Sequence, residues 1–142
     1  MSKIELSFRG IDNTYRGERA TVEQRKFIVV VEDDPEMNRA IRRLLNAAGF
    51  RTVTFFSADA FLLGDTAAAA DCLILDIHMP GLSGLEVPGR LRARGVRTPI
   101  IFVTAYDDPV FRARAEQAGA AGYLAKPFRS ECLLAALASA LQ

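Results

Sequence analysis

The sequence is poor in the residues from which several kinds of functional site are built. It has 142 residues but a single histidine, so a catalytic triad or a multi-histidine metal site could draw only on His78. Its two cysteines, Cys72 and Cys132, lie far apart and match neither a metal-ligand spacing nor a disulfide framework. These shortages argue against histidine-rich or cysteine-rich metal sites and against a disulfide-stabilised fold.

The chain also lacks an excess of charge and a long apolar run. Lys and Arg total 18 and Asp and Glu total 17, so non-specific binding of nucleic acid has no electrostatic basis. No apolar run approaches the roughly 20 residues of a membrane span, and the N-terminus is too polar for a signal peptide. We therefore expect a cytoplasmic protein that contacts no membrane and whose folded domain binds no nucleic acid directly.

The chain divides into a polar N-terminal stretch and one globular domain. Residues 1–25 mix charged and small residues without a sustained apolar period, which predicts a mostly mobile extension with a short strand over residues 4–8. Residues 26–142 have the length and the composition of a single domain, which we expect to fold without a disulfide or a metal.

In that domain, five apolar strands are predicted to alternate with five helices. The strands are predicted at residues 27–31, 51–56, 72–75, 99–103 and 121–124. The helices are predicted at residues 35–48, 57–63, 109–118 and 128–141, with one more that ends near residue 94. This alternation is typical of an α/β fold with a parallel sheet covered by helices on both faces. The favoured strand order is 2-1-3-4-5, which puts the ligand site at the carboxyl ends of strands 1 and 3.

Polar side chains follow four of these strands at the points where the strands end. Glu32 and Asp33 follow the first strand, and Asp76 follows the third. Thr104 ends the fourth strand, and Lys126 comes just after the fifth. Because the carboxyl ends of parallel strands share one edge of the sheet, we expect a cluster of three carboxylates beside a hydroxyl and an ammonium group.

Such a cluster has a definite chemistry. Carboxylates that lie close together repel, so their pKa values rise or they recruit a cation, and hard oxygen ligands suit Mg²⁺, with Mn²⁺ as an alternative. Asp76 is the natural nucleophile, while Lys126 and Thr104 can bind the oxygens of a phosphoryl group. Each residue alone has a plainer explanation, as a helix cap, a turn residue or a surface charge. Their occurrence at four strand ends of one sheet favours phosphoryl transfer.

Four stretches of sequence resemble a known family. They read IVVVEDDP at residues 28–35, LILDIHMPGLSG at residues 73–84, PIIFVTA at residues 99–105 and GYLAKPF at residues 122–128. In this order and spacing they resemble the receiver domain of two-component response regulators, from about residue 26 to 141. The resemblance implies a flavodoxin-like (βα)₅ fold. The MPGLSG version of the loop is most similar to nitrogen-fixation-type regulators, which carry a DNA-binding output domain.

The resemblance implies roles for the acidic residues. Asp76 would accept a phosphoryl group from a phosphohistidine on a sensor histidine kinase or a histidine phosphotransfer protein. Glu32 and Asp33 would hold Mg²⁺ together with Asp76 and the backbone carbonyl of His78. The chain would then be a signalling phospho-acceptor rather than an enzyme, because it would catalyse only its own phosphorylation and dephosphorylation.

The resemblance also implies a route for the signal. Thr104 and Lys126 would bind the phosphoryl group, and Tyr123 would be an aromatic switch that rotates inward when Thr104 moves. The fourth predicted helix, the fifth strand and the fifth helix would form the surface that changes, and two copies of the chain could dimerise through it. Three charged residues of the predicted helix at residues 109–118 could pair across the dimer: Arg112, Arg114 and Glu116. We favour the alternative that they form a solvated face of this helix.

Some positions depart from the commonest family pattern. Glu32 stands where Asp is frequent, and its longer arm should still reach the metal. His78 and Tyr106 each lie two residues after a site residue, at positions that influence how fast water attacks the phosphoryl group; a bulky Tyr106 would shield it. Pro88 lies inside the third predicted helix, which we expect to start late or to kink.

Three other interpretations compete with a receiver. A phosphatase with an aspartyl nucleophile needs a second acid two residues after it, where this chain has His78. A flavin-binding module needs a phosphate loop after the first strand, where Glu32 and Asp33 would repel a phosphate. A scaffold that has lost phosphorylation is the least excluded. A stand-alone receiver and a fragment of a longer regulator are both compatible with the sequence.

Overall fold

The computed structural model describes Thr21 and residues 24–142. The strand expected over residues 4–8 therefore lies outside the described residues, and the boundary at residue 26 stays a prediction.

The described residues form a five-stranded sheet in which every neighbouring pair of strands is parallel. The strands are β1 (Phe27–Val31), β2 (Arg51–Phe55), β3 (Cys72–Asp76), β4 (Ile100–Thr104) and β5 (Gly122–Ala125). Their order is β2-β1-β3-β4-β5, as the sequence predicted. Val31 of β1 is paired with Leu75 of β3, so these two strands end side by side at the carboxyl edge of the sheet.

Six α-helices occur in the part of the chain that the structure describes. They are α1 (Pro35–Ala47), α2 (Ala58–Leu62), α3 (Thr66–Ala69), α4 (Val87–Ala93), α5 (Pro109–Gln117) and α6 (Ser130–Ala140). Three helices begin with a side-chain cap, because the side chains of Asp34, Ser57 and Asp108 each accept a hydrogen bond from a backbone N–H in the first turn. These caps satisfy N–H groups that have no partner inside the helix.

The expectation of five helices was wrong by one short helix. The additional helix is α3, a single turn at Thr66–Ala69 that lacks a side-chain cap; the hydroxyl of Thr98 donates to the carbonyl of Ala67 in this turn, at 2.9 Å. The expected late start of the helix that contains Pro88 is confirmed. A 3-10 turn at Gly84–Glu86 leads into α4, which begins at Val87 and so holds the proline in its first turn.

Alternate residues of the central strands divide the core into two layers. On one face Val29, Leu75 and Phe102 pack with residues of α2, α4 and α5, and on the other face Val30 and Ile74 pack with residues of α1 and α6. Because β1, β3 and β4 are buried on both faces, they are continuous apolar runs. Among the described residues, no helix combines the length and the apolar character needed to cross a bilayer.

Candidate functional site

Three carboxylates meet at the carboxyl edge of the sheet. Glu32 follows β1 and Asp76 ends β3, and both are almost fully buried, with 1% and 3% of their surface exposed. One carboxylate oxygen from each of Glu32, Asp33 and Asp76 lies within 4.8 Å of those of the other two. The predicted convergence of these acids is confirmed, and we call the three residues the carboxylate cluster.

Backbone amides hold two of the carboxylates in place. The N–H of Asp34 donates to Oε2 of Glu32 at 3.2 Å, and the N–H of His78 donates to Oδ1 of Asp76 at 3.2 Å. Hydrogen bonds to a carboxylate are charge-assisted and favour a fixed orientation. The cluster is therefore preorganised by the chain segments that carry it.

Asn38 supports the cluster from α1, a role that the sequence analysis missed. The residue is buried, and its side-chain amide donates to the carbonyl of Glu32 at 3.0 Å and to that of Phe55 at 3.2 Å. It thus ties α1 to the ends of β1 and β2. The available signal was its position, because Asn38 lies on the same face of α1 as the buried Ile41 and Leu45.

Lys126 reaches the cluster from the end of β5. Its ammonium nitrogen lies 2.6 Å from Oε1 of Glu32 and 3.5 Å from Oδ2 of Asp76. The side chain is mostly buried, so this ion pair is shielded from water, unlike an ordinary surface pair. The sequence placed Lys126 beside the acids, but it did not identify Glu32 as its nearer partner.

Burial and mutual repulsion change the acidity of these groups. Burial raises the pKa of Glu32 to about 7, with a further contribution from the charge of Asp76, although the hydrogen bond from Lys126 opposes the rise. Burial also raises the pKa of Asp76, against the effect of Lys126. Burial lowers the pKa of Lys126, but its hydrogen bond and charge interaction with Glu32 outweigh this, so its pKa is raised. Burial therefore disfavours the charged forms of both Glu32 and Asp76, and Lys126 offsets part of this effect.

The loop after β3 packs against the backbone of Asp76. A Cβ atom at Gly84 would collide with the carbonyl oxygen of Asp76, so only glycine permits this approach. The hydroxyl of Ser83 and the N–H of Gly84 both donate to the carbonyl of Ile77, at 3.2 and 3.1 Å. The loop predicted at residues 79–84 therefore fixes the segment that follows the acceptor candidate.

Thr104 is buried at the end of β4, as predicted, but its hydroxyl is engaged within its own loop. It donates to the carbonyl of Tyr106 at 3.1 Å and accepts from the N–H of Tyr106 at 3.0 Å. Among the described residues it makes no hydrogen bond to Asp76. This arrangement links the conformation of the β4–α5 loop to the direction of the Thr104 hydroxyl.

The side chains of His78 and Tyr106 form an aromatic cluster with a third residue, Phe111 of α5. The ring of His78 lies edge-on to that of Tyr106 at 5.0 Å and to that of Phe111 at 4.6 Å, measured between centroids. Tyr106 is otherwise 64% exposed. Phe111 carries no sequence signal for this role, because its contact depends on how α5 packs and not on local spacing.

Tyr123 of β5 is half-buried and lies under a cation. The guanidinium carbon of Arg112 is 4.4 Å from the centroid of its ring, and Arg112 also forms an ion pair with Asp107 at 3.2 Å. Burial, together with the nearby charge of Asp107, raises the pKa of Tyr123. The sequence favoured a solvated helix face for Arg112. The structure differs, because Arg112 contacts both Tyr123 and Asp107, although half of its side chain is exposed.

Comparisons with known proteins agree with this geometry. A family model described as "Response regulator receiver domain" matches residues 28–138. The chain is 40% identical over 120 residues to the response regulator protein TmoT of Ectopseudomonas mendocina, covering 84% of this chain and 54% of that protein. It is 35% identical to the transcriptional regulatory protein FixJ of Bradyrhizobium diazoefficiens, covering 81% and 56%.

A solved structure gives the same result. The crystal structure of a response regulator receiver protein from Burkholderia phymatum superposes with a TM-score of 0.72 at 43% identity, covering 82% of this chain and 95% of that one. The chain spans about half the length of the curated relatives that it matches. The match to the family model covers well over half of the sequence. This chain therefore belongs to the response regulator receiver domain family of two-component signalling.

Proposed function

We propose that residues 26–142 are a receiver domain that accepts a phosphoryl group on Asp76. The donor is a phosphohistidine on a sensor histidine kinase or on a histidine phosphotransfer protein. In the transfer, the N–P bond of the donor breaks, a bond forms between phosphorus and a carboxylate oxygen of Asp76, and the released imidazole nitrogen takes up a proton. The carboxylate cluster, with Lys126 beside it, is the observation that carries this proposal.

The donor set fits a hard divalent cation. Three carboxylate oxygens lie within 4.8 Å of one another, and the ammonium group of Lys126 lies within ion-pair distance of two of these residues, Glu32 and Asp76. Glu32, Asp33 and Asp76 would hold Mg²⁺, or Mn²⁺, with the backbone carbonyl of His78 as a further ligand. Once bound, the ion would neutralise charge on the carboxylates and on the phosphoryl oxygens.

The chain's own residues orient the reaction. The amide of His78 holds Oδ1 of Asp76, which leaves Oδ2, the oxygen nearer Lys126, as the one that attacks. The ammonium group of Lys126 neutralises the negative charge that arrives with the phosphoryl group. Thr104 donates to a phosphoryl oxygen after its hydroxyl leaves the carbonyl of Tyr106.

Two further residues govern how long the phosphoryl group persists. The ring of Tyr106 is exposed and stands against that of His78, so it can restrict the approach of water to the acceptor. In hydrolysis, a water oxygen attacks phosphorus and the bond to Asp76 breaks, which restores the carboxylate. Tyr106 thereby lengthens the phosphorylated state.

The signal leaves through the surface formed by α5, β5 and α6. Movement of Thr104 releases the β4–α5 loop, and Tyr123 changes its position on β5 in response. A homodimer formed through this surface would transmit the change. The chain acts in signalling and turns over no substrate of its own.

Incubation with Mg²⁺ and acetyl phosphate, followed by mass spectrometry of the intact protein, tests the proposal. We expect a gain of one phosphoryl group, and no gain in Asp76→Asn. Asp34→Asn is the matched control, because asparagine also caps a helix and Asp34 is exposed. If the unaltered chain gains nothing, the proposal fails and the chain is a phosphorylation-independent scaffold. A gain that persists in Asp76→Asn would contradict the assignment of the acceptor.

A further inference from the structure

The strand β2 forms one outer edge of the sheet, because β1 is its single neighbour among the described strands. The N–H of Arg51 and the carbonyl of Phe55 make hydrogen bonds of 2.9 and 3.0 Å to the residues that flank β1. Alternate residues of a paired strand direct their backbone groups to opposite sides of the strand. The N–H and C=O groups of Thr52 and Thr54 therefore point away from β1, toward the outer edge.

This edge lacks the features that commonly prevent a strand from pairing with another chain. Such features are prolines, bulges and charged side chains. The strand β2 contains no proline, and its one-to-one register with β1 over residues 51–55 leaves no room for a bulge. Its one charged residue, Arg51, is directed toward β1, because its guanidinium carbon lies 4.0 Å from the centroid of the Phe27 ring. The backbone of β2 can therefore pair with a further strand.

Side chains at this edge also lack contacts. Val53 is 38% exposed, and Phe56, immediately after β2, is 56% exposed, although both are apolar. The hydroxyl oxygen of Thr52 is buried, and among the described residues it has no hydrogen-bond partner. Exposed apolar surface and a buried hydroxyl without a partner both favour a contact that one copy of the chain does not make by itself.

The edge is complementary to a second copy of itself. When two copies of β2 lie antiparallel about a two-fold axis at Val53, Thr52 of each copy lies directly opposite Thr54 of the other. Each such pair exchanges two N–H···O bonds, so all the outward backbone groups of Thr52 and Thr54 gain partners. Threonines that lie opposite each other can also form hydrogen bonds through their hydroxyl groups. The two Val53 side chains meet at the axis, on the same face of the sheet.

We propose that the outer edge of β2 is an interface at which a second copy of this chain adds its own β2 as an antiparallel strand. The interface is isologous, since both copies contribute the same residues. It lies at the edge of the sheet opposite β5, so it leaves the surface formed by α5, β5 and α6 uncovered. It depends on no phosphorylation chemistry. Because each copy contributes a strand of five residues, the association is weak and depends on concentration.

A cysteine at the two-fold axis tests the register. In a non-hydrogen-bonded antiparallel pair the Cα atoms lie about 4.5 Å apart, a distance that a disulfide can span. We expect Val53→Cys to form a disulfide-linked dimer when copper phenanthroline is added as the oxidant. The background is Cys132→Ser, which removes the exposed native thiol. Gel electrophoresis without a reductant measures the dimer.

Phe56→Cys in the same background is the matched control. Phe56 is more exposed than Val53, but it lies away from the axis, so its thiol does not meet that of the second copy. We expect Phe56→Cys to give little linked dimer under the conditions that link Val53→Cys. Equal linkage of the two variants, or no linkage of Val53→Cys, would overturn the proposed pairing.

Sedimentation equilibrium of the unphosphorylated protein tests the association itself. We expect the wild type to populate a dimer at concentrations up to about 1 mM, the range of a weak interface. Val53→Lys should abolish the dimer, because two like charges would meet at the axis. Val110→Lys, the same change at an exposed valine of α5, should leave it intact. A monomeric wild type, or a dimer that only Val110→Lys abolishes, would contradict the proposal.

Hydrogen exchange identifies what occupies the edge. The amides of Thr52 and Thr54 should become more protected as the protein concentration rises, because they gain partners in the dimer. Fast exchange at every concentration would show that nothing pairs with them. Protection in a monomer that is lost when residues 1–20 are removed would show that the N-terminal part of the same chain occupies the edge. Either of these two results would overturn the proposal.

Discussion

The ends of β1 and β3 differ from those of β4 and β5 in how their polar groups are held. At β1 and β3, the carboxylates of Glu32 and Asp76 are buried and accept hydrogen bonds from nearby backbone amides. At β4 and β5, the hydroxyl of Thr104 makes hydrogen bonds, among the described residues, only to Tyr106 of its own loop, and the ring of Tyr123 lies under the half-exposed guanidinium group of Arg112. The carboxylates at the ends of β1 and β3 are held in fixed positions, whereas the contacts of Thr104 and Tyr123 can be exchanged for others.

Under the proposed function, this difference separates the chemistry of phosphoryl transfer from the conformational response within one small domain. Phosphoryl transfer requires groups whose positions are set before the reaction, because preorganised charges need no rearrangement in the transition state. A switch requires groups with two accessible arrangements. The sheet supplies both kinds of group, those with preset positions and those with two arrangements. Its central strands are fully buried, while the segments after β4 and β5 reach the surface.

Lys126 is an exception to this difference between the two pairs of strands, because it follows β5 but contacts the acids at the ends of β1 and β3. We expect Lys126→Met to slow phosphorylation by acetyl phosphate by roughly 100-fold, because one preorganised charge is lost from the site. The rate of mass gain measures this effect. Lys26→Met, at an exposed lysine just before β1, should react like the wild type. If Lys126→Met also keeps the wild-type rate, β1 and β3 suffice for the chemistry.

The pH dependence of stability sharpens the comparison. Glu32 binds its proton more tightly in the folded state, where its pKa is about 7, than in the unfolded state, where it has its ordinary value of 4.5. Its contribution to the free energy of unfolding is therefore fully present below about pH 4.5 and is lost as the pH rises to about 7. The loss is of the order of 3 kcal/mol, since one pKa unit corresponds to about 1.4 kcal/mol.

Urea unfolding of the wild type and of Glu32→Gln in the presence of EDTA measures this loss. Their difference in stability should change over this pH range, in favour of Glu32→Gln as the pH rises. Thr104→Val serves as the comparison at β4, because it removes a buried hydroxyl that does not titrate there. A pH-independent difference for Glu32→Gln would show that Glu32 is not protonated more readily in the folded state.

A substitution of Asn38 tests how much the ends of β1 and β2, and with them the carboxylate cluster, depend on support from α1. Asn38→Ala should lower the free energy of unfolding by about 1–2 kcal/mol, because two carbonyl groups at the ends of β1 and β2 lose a donor. Thermal or urea unfolding measures this. Asn46→Ala, at an exposed position of the same helix, should have almost no effect. Equal effects of the two substitutions would contradict the supporting role.

The sequence predicted the fold because its signals are local. The buried strands are continuous apolar runs, and helix starts such as Asp34–Pro35 and Asp108–Pro109 combine a cap with a proline in the first turn. The short helix α3 was not predicted, because a single turn that consists mainly of alanine has no periodic apolar face. Strand boundaries differed by one residue at the ends of β2 and β3 and at both ends of β4 and β5, because the register with neighbouring strands and not a local signal sets these ends.

The site was predictable as far as strand ends define it. Glu32, Asp33 and Asp76 converge because the strand order brings β1 and β3 together, and the order follows from general rules of parallel sheets. The contacts of Asn38 and Arg112 were not predictable, because each joins a helix to a strand or a strand end of the sheet. Their geometry depends on how whole helices pack against the sheet.

The central claim is that acids from the ends of β1 and β3 bind one divalent cation. Paramagnetic Mn²⁺ added to ¹⁵N-labelled protein tests it most directly, because it broadens the amide resonances nearest to the bound ion. The account predicts selective broadening of residues 32–34 and 76–78, reversed by excess Mg²⁺ and abolished in Asp33→Asn. Broadening confined to other parts of the surface, or unaffected by Asp33→Asn, would contradict it.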